Sequence, residues 1–369
     1  MSFKCEIIAD SLSPQKDRLT TFLVTYPRII HAEMCRHRMF SRNTASSRAI
    51  PFKKMAKDVE ENPFMPIAWQ KAHKGMQGTE YITDSFWVEL NTRNWLKAKD
   101  YAVQQAKKLN LDIDGNYNVT KQLCNRLLEP FMWTTEIISG TEWENFFKLR
   151  CPQYEYKGEF FRSKKECIDS YKFDHGESFK EHREYLKSLS DLEWLQINKS
   201  QADIHIQAIA ELMWDAYNES TPKQLKTGEW HIPYGDNIDD GSLREWFWLE
   251  YKNADPAYGE YEREKIRIAT ARAARLSYTT LGDNPKIDYK ADIKLHDRLL
   301  EQKHMSPFEH CTKAMSDEEY ASYVKGKLMV DSDDGYYTIE GPSMDEKLEG
   351  GWCRNFKGFI QYRHLIENQ

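Results

Sequence analysis

Two runs of apolar and β-branched residues near the start of the chain predict its first elements. CEIIAD (5–10) and LTTFLVTY (19–26) have the β-branched and aromatic content typical of strands. Pro27 follows the second run, and because proline is favoured in the first turn of a helix, we predict that a helix begins there. Glu33 and Arg36 share one face of that helix. The pattern therefore predicts two strands and then a short helix.

Helical patterns dominate much of the remaining chain. Residues 118–150 predict one helix, a break around Pro130 and a second helix that ends near Arg150. ADIHIQAIAELMWDAY (202–217) and YKADIKLHDRLLEQKH (289–304) predict two further helices. We therefore expect helices that flank the sheet begun by the N-terminal strands.

Two segments differ from the rest in composition. Residues 152–199 are charged and aromatic, which indicates a surface insertion, and SFKEHREYLKSLSDLEWLQ (178–196) within them is helical by pattern. Near the C-terminus, DSDDGYYTIEGPS (331–343) is acidic, but its Gly335 stands one position too early for a calcium loop. We expect 331–343 to be a solvated loop, and we expect no metal site.

Composition and charge exclude several classes of function. The chain has 369 residues, 40% of them hydrophobic and 30% charged, as in ordinary globular proteins. Lys+Arg total 52 and Asp+Glu 58, and the net charge of −6 argues against the broad phosphate neutralisation on which non-specific nucleic-acid binding rests. We therefore expect no nucleic-acid partner.

Cysteine usage and apolar runs indicate the compartment. Seven cysteines without a C-x-x-C pair suit reduced thiols. The N-terminus has no signal-peptide core, and no apolar run approaches the roughly 20 residues of a membrane span. We expect a cytoplasmic protein, in the host cytoplasm if it is viral, without a membrane partner.

The stretch CRHRMFSRNTASSRAIP (35–51) is the first candidate for chemistry. It contains four arginines and no lysine: Arg36, Arg38, Arg42 and Arg48. Arginine carries a permanent charge on a planar fork, which suits a phosphate whose position must be fixed. With the hydroxyls of Ser46 and Ser47 beside them, these arginines could hold a nucleotide phosphate. The alternative is a surface loop whose arginines pair with acidic residues elsewhere.

HMSPFEH (304–310) is the second candidate. Ser306, Pro307 and Glu309 have the types and spacing of a capping box with proline at the first helical position, which predicts a helix start. Capping alone explains these residues. A helix N-terminus between the two histidines of the segment is also suited to an anion such as a cofactor phosphate.

Several segments together resemble one family. RHRMFSRNTAS (36–46) fits the R-H-R-x7-S signature of the flavin-dependent thymidylate synthases (ThyX). AARLSY (273–278) and HMSPFEH (304–310) resemble that family's A-A-R-V-S-[FY] and H-x-[ST]-P-F-E-H segments. NRLLEP (125–130) and NFFKLR (145–150) are similar to its R-x-x-L-P and N-F-L-x-L-R. The combination is far more specific than any single segment.

The order of these segments differs from that of the family. Family members carry A-A-R-V-S and P-F-E-H before R-H-R-x7-S, whereas here those two segments come last, as in a circular permutation. The resemblance implies an α/β (α+β) fold in which helices flank a mixed sheet. We expect one catalytic domain over 1–369, with 152–199 inserted and 313–369 as an extension outside the resemblance.

The resemblance also implies an activity and a site. The family uses FAD, NADPH and methylene-tetrahydrofolate to place a methyl group on C5 of dUMP, giving dTMP, and it forms homotetramers. By position in the motifs, the flavin site would contain Arg36, His37, Arg38, Asn43, Asn145, Ser277, His304, Ser306 and Glu309. The dUMP site would contain Glu33, Ser46, Ser47, Arg48, Arg126 and Arg150, and the catalytic residues would be Arg150, Arg36 and Ser46.

The family chemistry needs no cysteine nucleophile. Cys151 stands in RCPQ, the reverse of the P-C order found in the other thymidylate synthase family. Cys35 adjoins Arg36, which could lower the pKa of the thiol. On a helix beside Met34, we expect a packed thiol instead.

Departures from the family pattern keep alternatives open. Glu33 replaces the usual glutamine, Thr44 a glutamate and Ala49 a tyrosine, and Asp203 lies where the family has A-Q-x-E-I. Glu33 could pair with Arg36, or it could accept a hydrogen bond from an amino group, which cytosine has and uracil lacks. The leading hypothesis is a dUMP methylase. The alternatives are C5 hydroxymethylation, dCMP as substrate, and a non-catalytic nucleotide-binding relative.

Overall fold

The described part of the protein consists of a five-stranded mixed sheet, three smaller sheets and many helices. The computed structural model describes residues 2–74, 78–111, 118–170, 177–250, 258–278, 288–324, 327–330, 337–340 and 356–367. The strands are β1 (Lys4–Leu12), β2 (Arg18–Pro27), β3 (Ser41–Thr44), β4 (Trp133–Gly140), β5 (Tyr154–Tyr156), β6 (Glu159–Phe161), β7 (Lys223–Gln224), β8 (Trp230–His231), β9 (Thr312–Ala314), β10 (Lys327–Val330), β11 (Tyr337–Glu340) and β12 (Phe359–Gln361). The α-helices are α1 (His31–Met34), α2 (Phe52–Glu61), α3 (Ser85–Leu109), α4 (Lys121–Arg126), α5 (Glu144–Arg150), α6 (Lys164–Asp169), α7 (Glu177–Ser188), α8 (Asp191–Ile197), α9 (Ile204–Glu219), α10 (Asp240–Glu250), α11 (Tyr258–Arg275), α12 (Tyr289–Glu301), α13 (Asp317–Val324) and α14 (Tyr362–Glu367). Short 3-10 turns occupy Arg28–Ile30, Glu129–Phe131, Gly235–Asn237, Leu276–Tyr278 and Ser306–Glu309.

The main sheet has the strand order β3-β4-β2-β1-β7. β1 pairs with β2, β2 with β4 and β4 with β3 in antiparallel fashion, whereas β7 runs parallel to β1. The sheet is therefore mixed, as expected, and the two strands predicted from the N-terminal runs are confirmed as β1 and β2. The helix predicted after Pro27 is a 3-10 turn that continues into the single turn α1.

The prediction of two helices around a break in 118–150 is wrong in its middle part. After α4 and a 3-10 turn the chain enters β4, which lies between β2 and β3, and the second helix, α5, begins only at Glu144. Seven of the eight residues of β4 are buried. A strand buried on both faces shows no alternation of polar and apolar residues, so its sequence resembles that of a buried helix.

Helix α9 covers the strands β1 and β2 and confirms the helix predicted there. Its buried residues Ile206, Ile209 and Met213 recur with helical spacing and belong to the core formed with the sheet. Asp203 is the N-cap, and its side chain accepts a hydrogen bond from the backbone N–H of His205 at 2.8 Å. This departure from the family pattern therefore has a structural role at the start of the helix.

Residues 152–199 have a small core of their own. They contain the hairpin β5–β6 and the helices α6, α7 and α8. Their buried core residues are Tyr154, Phe161, Cys167, Leu186 and Trp194. The stretch 178–196 forms two helices rather than one, because Ser190 caps α8 in a capping box with Glu193.

The C-terminal part confirms one helix and corrects another. The helix predicted over 289–304 is α12, and it packs against α11. The helix predicted to start at Ser306 is wrong, since Ser306–Glu309 is a single 3-10 turn without a side-chain cap. The Glu309 carboxylate pairs with Arg363 at 2.7 Å rather than with the backbone of its own turn. The helix N-terminus considered as an alternative anion site is therefore not formed by Ser306–Glu309.

The acidic stretch 331–343 is only partly described. Residues 331–336 and 341–343 lie outside the described ranges. Tyr337–Glu340 forms β11, which pairs with β10, so the prediction of a solvated loop is wrong there.

Within the described ranges, no helix combines the length and the apolar character needed to cross a membrane. The cysteines described there, Cys5, Cys35, Cys124, Cys151, Cys167 and Cys311, are free thiols. This agrees with the expectation of reduced cysteines.

Candidate functional site

Strand β3 is the meeting point of segments that are far apart in the chain. It pairs with β4, and its residues carry the middle of the R-H-R-x7-S segment. Just beyond the strand, the backbone N–H of Ser46 donates to the carbonyl of Ser277 at 3.1 Å. The turn Ser306–Glu309 packs against the same strand. The two segments that come last in the sequence therefore lie beside the arginine-rich stretch.

Two residues of the C-terminal tail complete this arrangement. Gln361 is buried, and its Nε2 donates to Ser41 Oγ at 3.0 Å and to the carbonyl of Glu309 at 3.2 Å. Arg363 donates from Nη1 to Glu309 Oε1 at 2.7 Å. Sequence reasoning missed both residues, and the only signal was the faint echo of EMCRHR (33–38) in FIQYRH (359–364).

We predict that Gln361→Leu lowers the free energy of unfolding by about 1 to 3 kcal/mol, because the Glu309 carbonyl loses a donor at a buried position. Urea denaturation followed by tryptophan fluorescence measures this loss. The matched control is Gln104→Leu on the exposed face of α3, for which we expect a change within about 0.5 kcal/mol. Equal stability of Gln361→Leu and the wild type would show that the tail does not help to hold this turn.

Arg150 is held in place by His37. The Nε of Arg150 donates to His37 Nε2 at 3.0 Å, so the ring proton of His37 is on Nδ1. Burial, together with Arg150 and Arg42, lowers the pKa of His37 to about 4, and this histidine is therefore neutral at pH 7. Burial and Arg36 also lower the pKa of Arg150, while Glu33 acts in the opposite direction. Arg150 stays charged and has no carboxylate partner among the described residues.

Glu33 has an acceptor that no group in the described part of the chain satisfies. Its Oε2 is buried and has no hydrogen-bond partner, and the described residues contain no ion pair between Glu33 and Arg36. The pairing considered for these two residues is therefore wrong. The buried Nδ2 of Asn43 likewise has no acceptor. The predicted site thus offers one buried acceptor and one buried donor to a ligand.

Arg42 is the arginine of the stretch 35–51 that pairs with an acidic residue. Its Nη1 donates to Glu136 Oε2 at 3.1 Å. Glu136 is fully buried and also accepts from Tyr26 at 2.6 Å and from Thr44 at 2.7 Å. Thr44, which replaces a family glutamate, therefore donates a hydrogen bond to this buried carboxylate.

The other three arginines of the stretch have no acidic partner among the residues that the structure describes. In the described part of the chain no carboxylate lies within ion-pair distance of the exposed Arg36, Arg38 or Arg48, and the same holds for Arg126 on α4. The interpretation as a surface loop with paired arginines is thus correct only for Arg42. Fixed positive charges without a neighbouring acid are available to an anionic ligand.

The serine side chains at this site have different partners. Ser47 is buried and donates to Glu129 Oε1 at 3.1 Å, so its hydroxyl already serves a carboxylate. Ser46 is half-buried, and its Oγ accepts from the backbone N–H of Arg48 at 3.3 Å. Ser46 is therefore better placed than Ser47 to meet a phosphate.

Some predicted residues are not joined to this centre. Asn145, His304, Ser306 and Arg126 are exposed. No hydrogen bond or ion pair within the described ranges connects their side chains to the residues around β3. His310, the last residue of its motif, is buried, and its Nδ1 lies 2.8 Å from Ser139 Oγ. Burial lowers the pKa of His310 to about 3. It is therefore neutral and does not attract an anion.

Comparison with known proteins gives little further information. The sequence matches no known protein-family model and no curated protein. Two solved structures of the UMP/dUMP methylase PolB from Streptomyces cacaoi are similar to this chain. The complex with 5-Br UMP has 14% identity and a TM-score of 0.38 over 59% of this chain and 89% of that chain. The complex with 5-Br dUMP has 13% identity and a TM-score of 0.39 over 59% and 91%. Because both TM-scores are low, the functional proposal rests on this chain's own residues.

Proposed function

We propose that this chain is a flavin-dependent thymidylate synthase of the ThyX type, which methylates dUMP at C5 to give dTMP. The observation that carries the proposal is the meeting of the motif segments at β3. Ser46 bonds to Ser277, and Gln361 ties Ser41 to Glu309. These segments resemble the family one by one, and a shared site requires them to be neighbours despite their altered order.

The residues present fit an anionic cofactor and an anionic nucleotide. FAD and dUMP carry phosphates, which need cations at fixed positions, and Arg36, Arg38 and Arg48 have charges that no described acid neutralises. The rings of both molecules also need individual donors and acceptors. Glu33 Oε2 and Asn43 Nδ2 are unsatisfied groups of these two kinds. Glu309, also predicted for the flavin site, differs from these two groups because its carboxylate is already paired with Arg363.

The chemistry would be divided between ligands and protein. FAD bound here and reduced by NADPH would supply hydride, and methylene-tetrahydrofolate would supply the one-carbon unit. We assign to Arg150 the stabilisation of negative charge on the pyrimidine as C5 becomes nucleophilic. The hydrogen bond to His37 orients its guanidinium for this role.

We further propose a homotetramer whose sites combine residues of several copies. Arg126, Asn145 and His304 are exposed and unconnected to β3 within one chain, which supports a contribution from a neighbouring copy. Mixing an Arg126→Ala variant with an Arg150→Ala variant tests this. Recovery of activity in the mixture is expected if the two residues serve one site from different chains, and no recovery would contradict shared sites.

The direct test is a mass spectrum of the products from purified protein, FAD, NADPH, methylene-tetrahydrofolate and an equal mixture of dUMP and dCMP. We expect dTMP, together with FAD that remains bound through purification. Nucleotide binding without flavin would favour the non-catalytic relative. Failure to bind either nucleotide would overturn the proposal. The free thiols of the described residues suit a reaction in the cytoplasm.

A second candidate function is favoured by Glu33. A buried carboxylate oxygen without a donor matches the amino group of cytosine, so dCMP methylation or hydroxymethylation would satisfy it. The same oxygen would face the carbonyl of uracil without a hydrogen bond.

We predict that Glu33→Gln shifts the ratio of dUMP to dCMP turnover toward dUMP by about tenfold to a hundredfold, the equivalent of one hydrogen bond to a charged group. Competition between the two nucleotides in one reaction measures the ratio. Glu89→Gln on the exposed face of α3 is the control and should leave the ratio unchanged. An unchanged ratio in Glu33→Gln would rule out selection by this carboxylate.

A further inference from the structure

His31 and Cys35 lie one helical turn apart on the segment that precedes the R-H-R motif. The backbone N–H of Cys35 donates to the carbonyl of His31 at 3.0 Å, which closes the turn and places both side chains on one side. The Cys35 Sγ lies 3.6 Å from His31 Nε2 and 3.9 Å from His31 Nδ1. A tetrahedral Zn²⁺ with a sulfur ligand at about 2.3 Å and a nitrogen ligand at about 2.0 Å separates the two ligand atoms by about 3.5 Å. The distance from Sγ to Nε2 therefore matches the separation of two ligand atoms on one metal ion.

The proton positions on His31 follow from its other neighbour. Tyr26 has one hydroxyl proton, and it donates this proton to Glu136 Oε2 at 2.6 Å, since a carboxylate only accepts. The same hydroxyl oxygen lies 2.8 Å from His31 Nδ1, so Nδ1 must carry the ring proton and donate. The lone pair is then on Nε2, the ring nitrogen nearer to Cys35. Because Sγ lies almost equally far from both ring nitrogens, it lies beside the ring, and the exposed Cys35 side chain has to rotate toward the lone pair for both groups to bind one ion. A carboxylate that orients a histidine through its second nitrogen is a common feature of metal sites.

Glu136 adds negative charge to the same place. Ligand atoms of His31, Cys35 and Glu136 all lie within 4.8 Å of one another. Because both oxygens of Glu136 already accept hydrogen bonds, we assign it the role of an anion behind the site rather than of a full ligand. Cys35 is exposed, so water can take the remaining coordination positions.

Other charges limit which ion can bind. Arg28 and Arg42 act on His31 as positive neighbours, and Glu129 acts as a negative one. A hard cation that depends on oxygen ligands gains little here, because the guanidinium of Arg42 competes for Glu136. Thiolate and imidazole ligands select soft or borderline ions instead.

We propose that His31 and Cys35, backed by Tyr26 and Glu136, form a binding site for one thiophilic divalent metal ion such as Zn²⁺. The site is separate from the flavin and nucleotide roles proposed above and revises the expectation of no metal. The signal in the sequence is the spacing H-x3-C in HAEMC (31–35). The expectation that Cys35 is a packed thiol is wrong, because the residue is exposed. Partial desolvation of the sulfur and the charge of Glu136 raise the pKa of this thiol, contrary to the lowering expected from Arg36.

Cobalt titration of the full chain without a histidine tag tests the proposal. Co²⁺ replaces Zn²⁺ at such sites, and a thiolate ligand produces a sulfur-to-cobalt charge-transfer absorption. We expect one equivalent to bind with this absorption, Cys35→Ser to abolish it, and His31→Gln to weaken Co²⁺ binding at least tenfold. Tyr26→Phe should weaken it by about tenfold to a hundredfold, as for other residues that orient a ligand. Cys5→Ser, at a half-buried thiol in β1, is the control and should change nothing.

A second readout does not depend on absorption. Zn²⁺ should protect Cys35 from alkylation, as seen by peptide mass spectrometry, in the wild type but not in His31→Gln. Rapid alkylation that Zn²⁺ leaves unchanged would overturn the metal site and leave a thiol–imidazole pair. An absorption that persists in Cys35→Ser would place the metal at another thiol and would equally overturn the proposal.

Discussion

Arg150→Ala is expected to lower kcat/KM for the pyrimidine nucleotide by about a hundredfold to a thousandfold, the usual cost of removing one donor that stabilises developing charge. Arg150 lies at the end of α5, half-buried, with its Nε engaged by His37 and no described carboxylate to neutralise it. Its remaining N–H groups are therefore available to a ligand, and the neutral ring of His37 adds no competing charge.

The comparison variants separate charge from geometry. Arg150→Lys keeps the charge but has neither the planar fork nor a donor at the position of Nε, so we expect it to restore little activity. Lys148→Ala, an exposed position on the same helix, is the matched control and should stay within twofold of the wild type. Steady-state rates with varied nucleotide measure the effect, and unchanged thermal unfolding would show that the fold is intact. Near-wild-type activity of Arg150→Ala would remove this residue from the mechanism.

Glu136→Ala is expected to destabilise the protein by about 3 to 5 kcal/mol, the cost of leaving a partly buried charge without its partner. Glu136 is fully buried in the sheet, and Tyr26, Arg42 and Thr44 all donate to it. Its removal leaves the guanidinium of Arg42 without a counter-ion. The hydroxyls of Tyr26 and Thr44 lose their acceptor as well.

Matched variants make this prediction specific. Glu142→Ala removes a partly exposed partner of Lys357, and we expect a loss of only about 0 to 1 kcal/mol. Glu136→Gln keeps one acceptor oxygen, and its loss should fall between those of the two alanine variants. Urea denaturation gives all three free energies. If Glu136→Ala were no worse than Glu142→Ala, the buried network would not contribute to stability.

Much of the secondary structure could be predicted from local pattern. Composition and periodicity predict the observed secondary structure in β1, β2, α9 and α12. β4 could not be recognised, because its burial on both faces removes the alternation that identifies strands. The turn at Ser306 could not be distinguished from a helix start, because the partner that draws Glu309 away is Arg363 in the distant tail.

The candidate site shows the same division. The motifs identified Arg36, Arg150 and Ser46 as residues of interest. They did not show that Arg42 forms an ion pair with a buried carboxylate. They also gave no reason to look at Gln361, which lies 320 positions from Ser41 in sequence and bonds to it. Contacts of this kind depend on how the sheet and the tail pack, and no local spacing encodes them.

The sequence by itself determined the chemical groups available to this protein: a cluster of arginines in a mildly acidic chain, short segments of a recognisable family in an altered order, and thiols without a pairing pattern. Only the tertiary structure decided which of these groups act together. It paired Arg42 with Glu136 and left Arg36 and Arg150 without described acidic partners. It also buried one oxygen of Glu33 without a donor among the described residues and brought Cys35 Sγ to 3.6 Å from Nε2 of His31. The physical reason is that charge, proton position and burial depend on neighbours in space, which chain folding brings together from distant parts of the sequence.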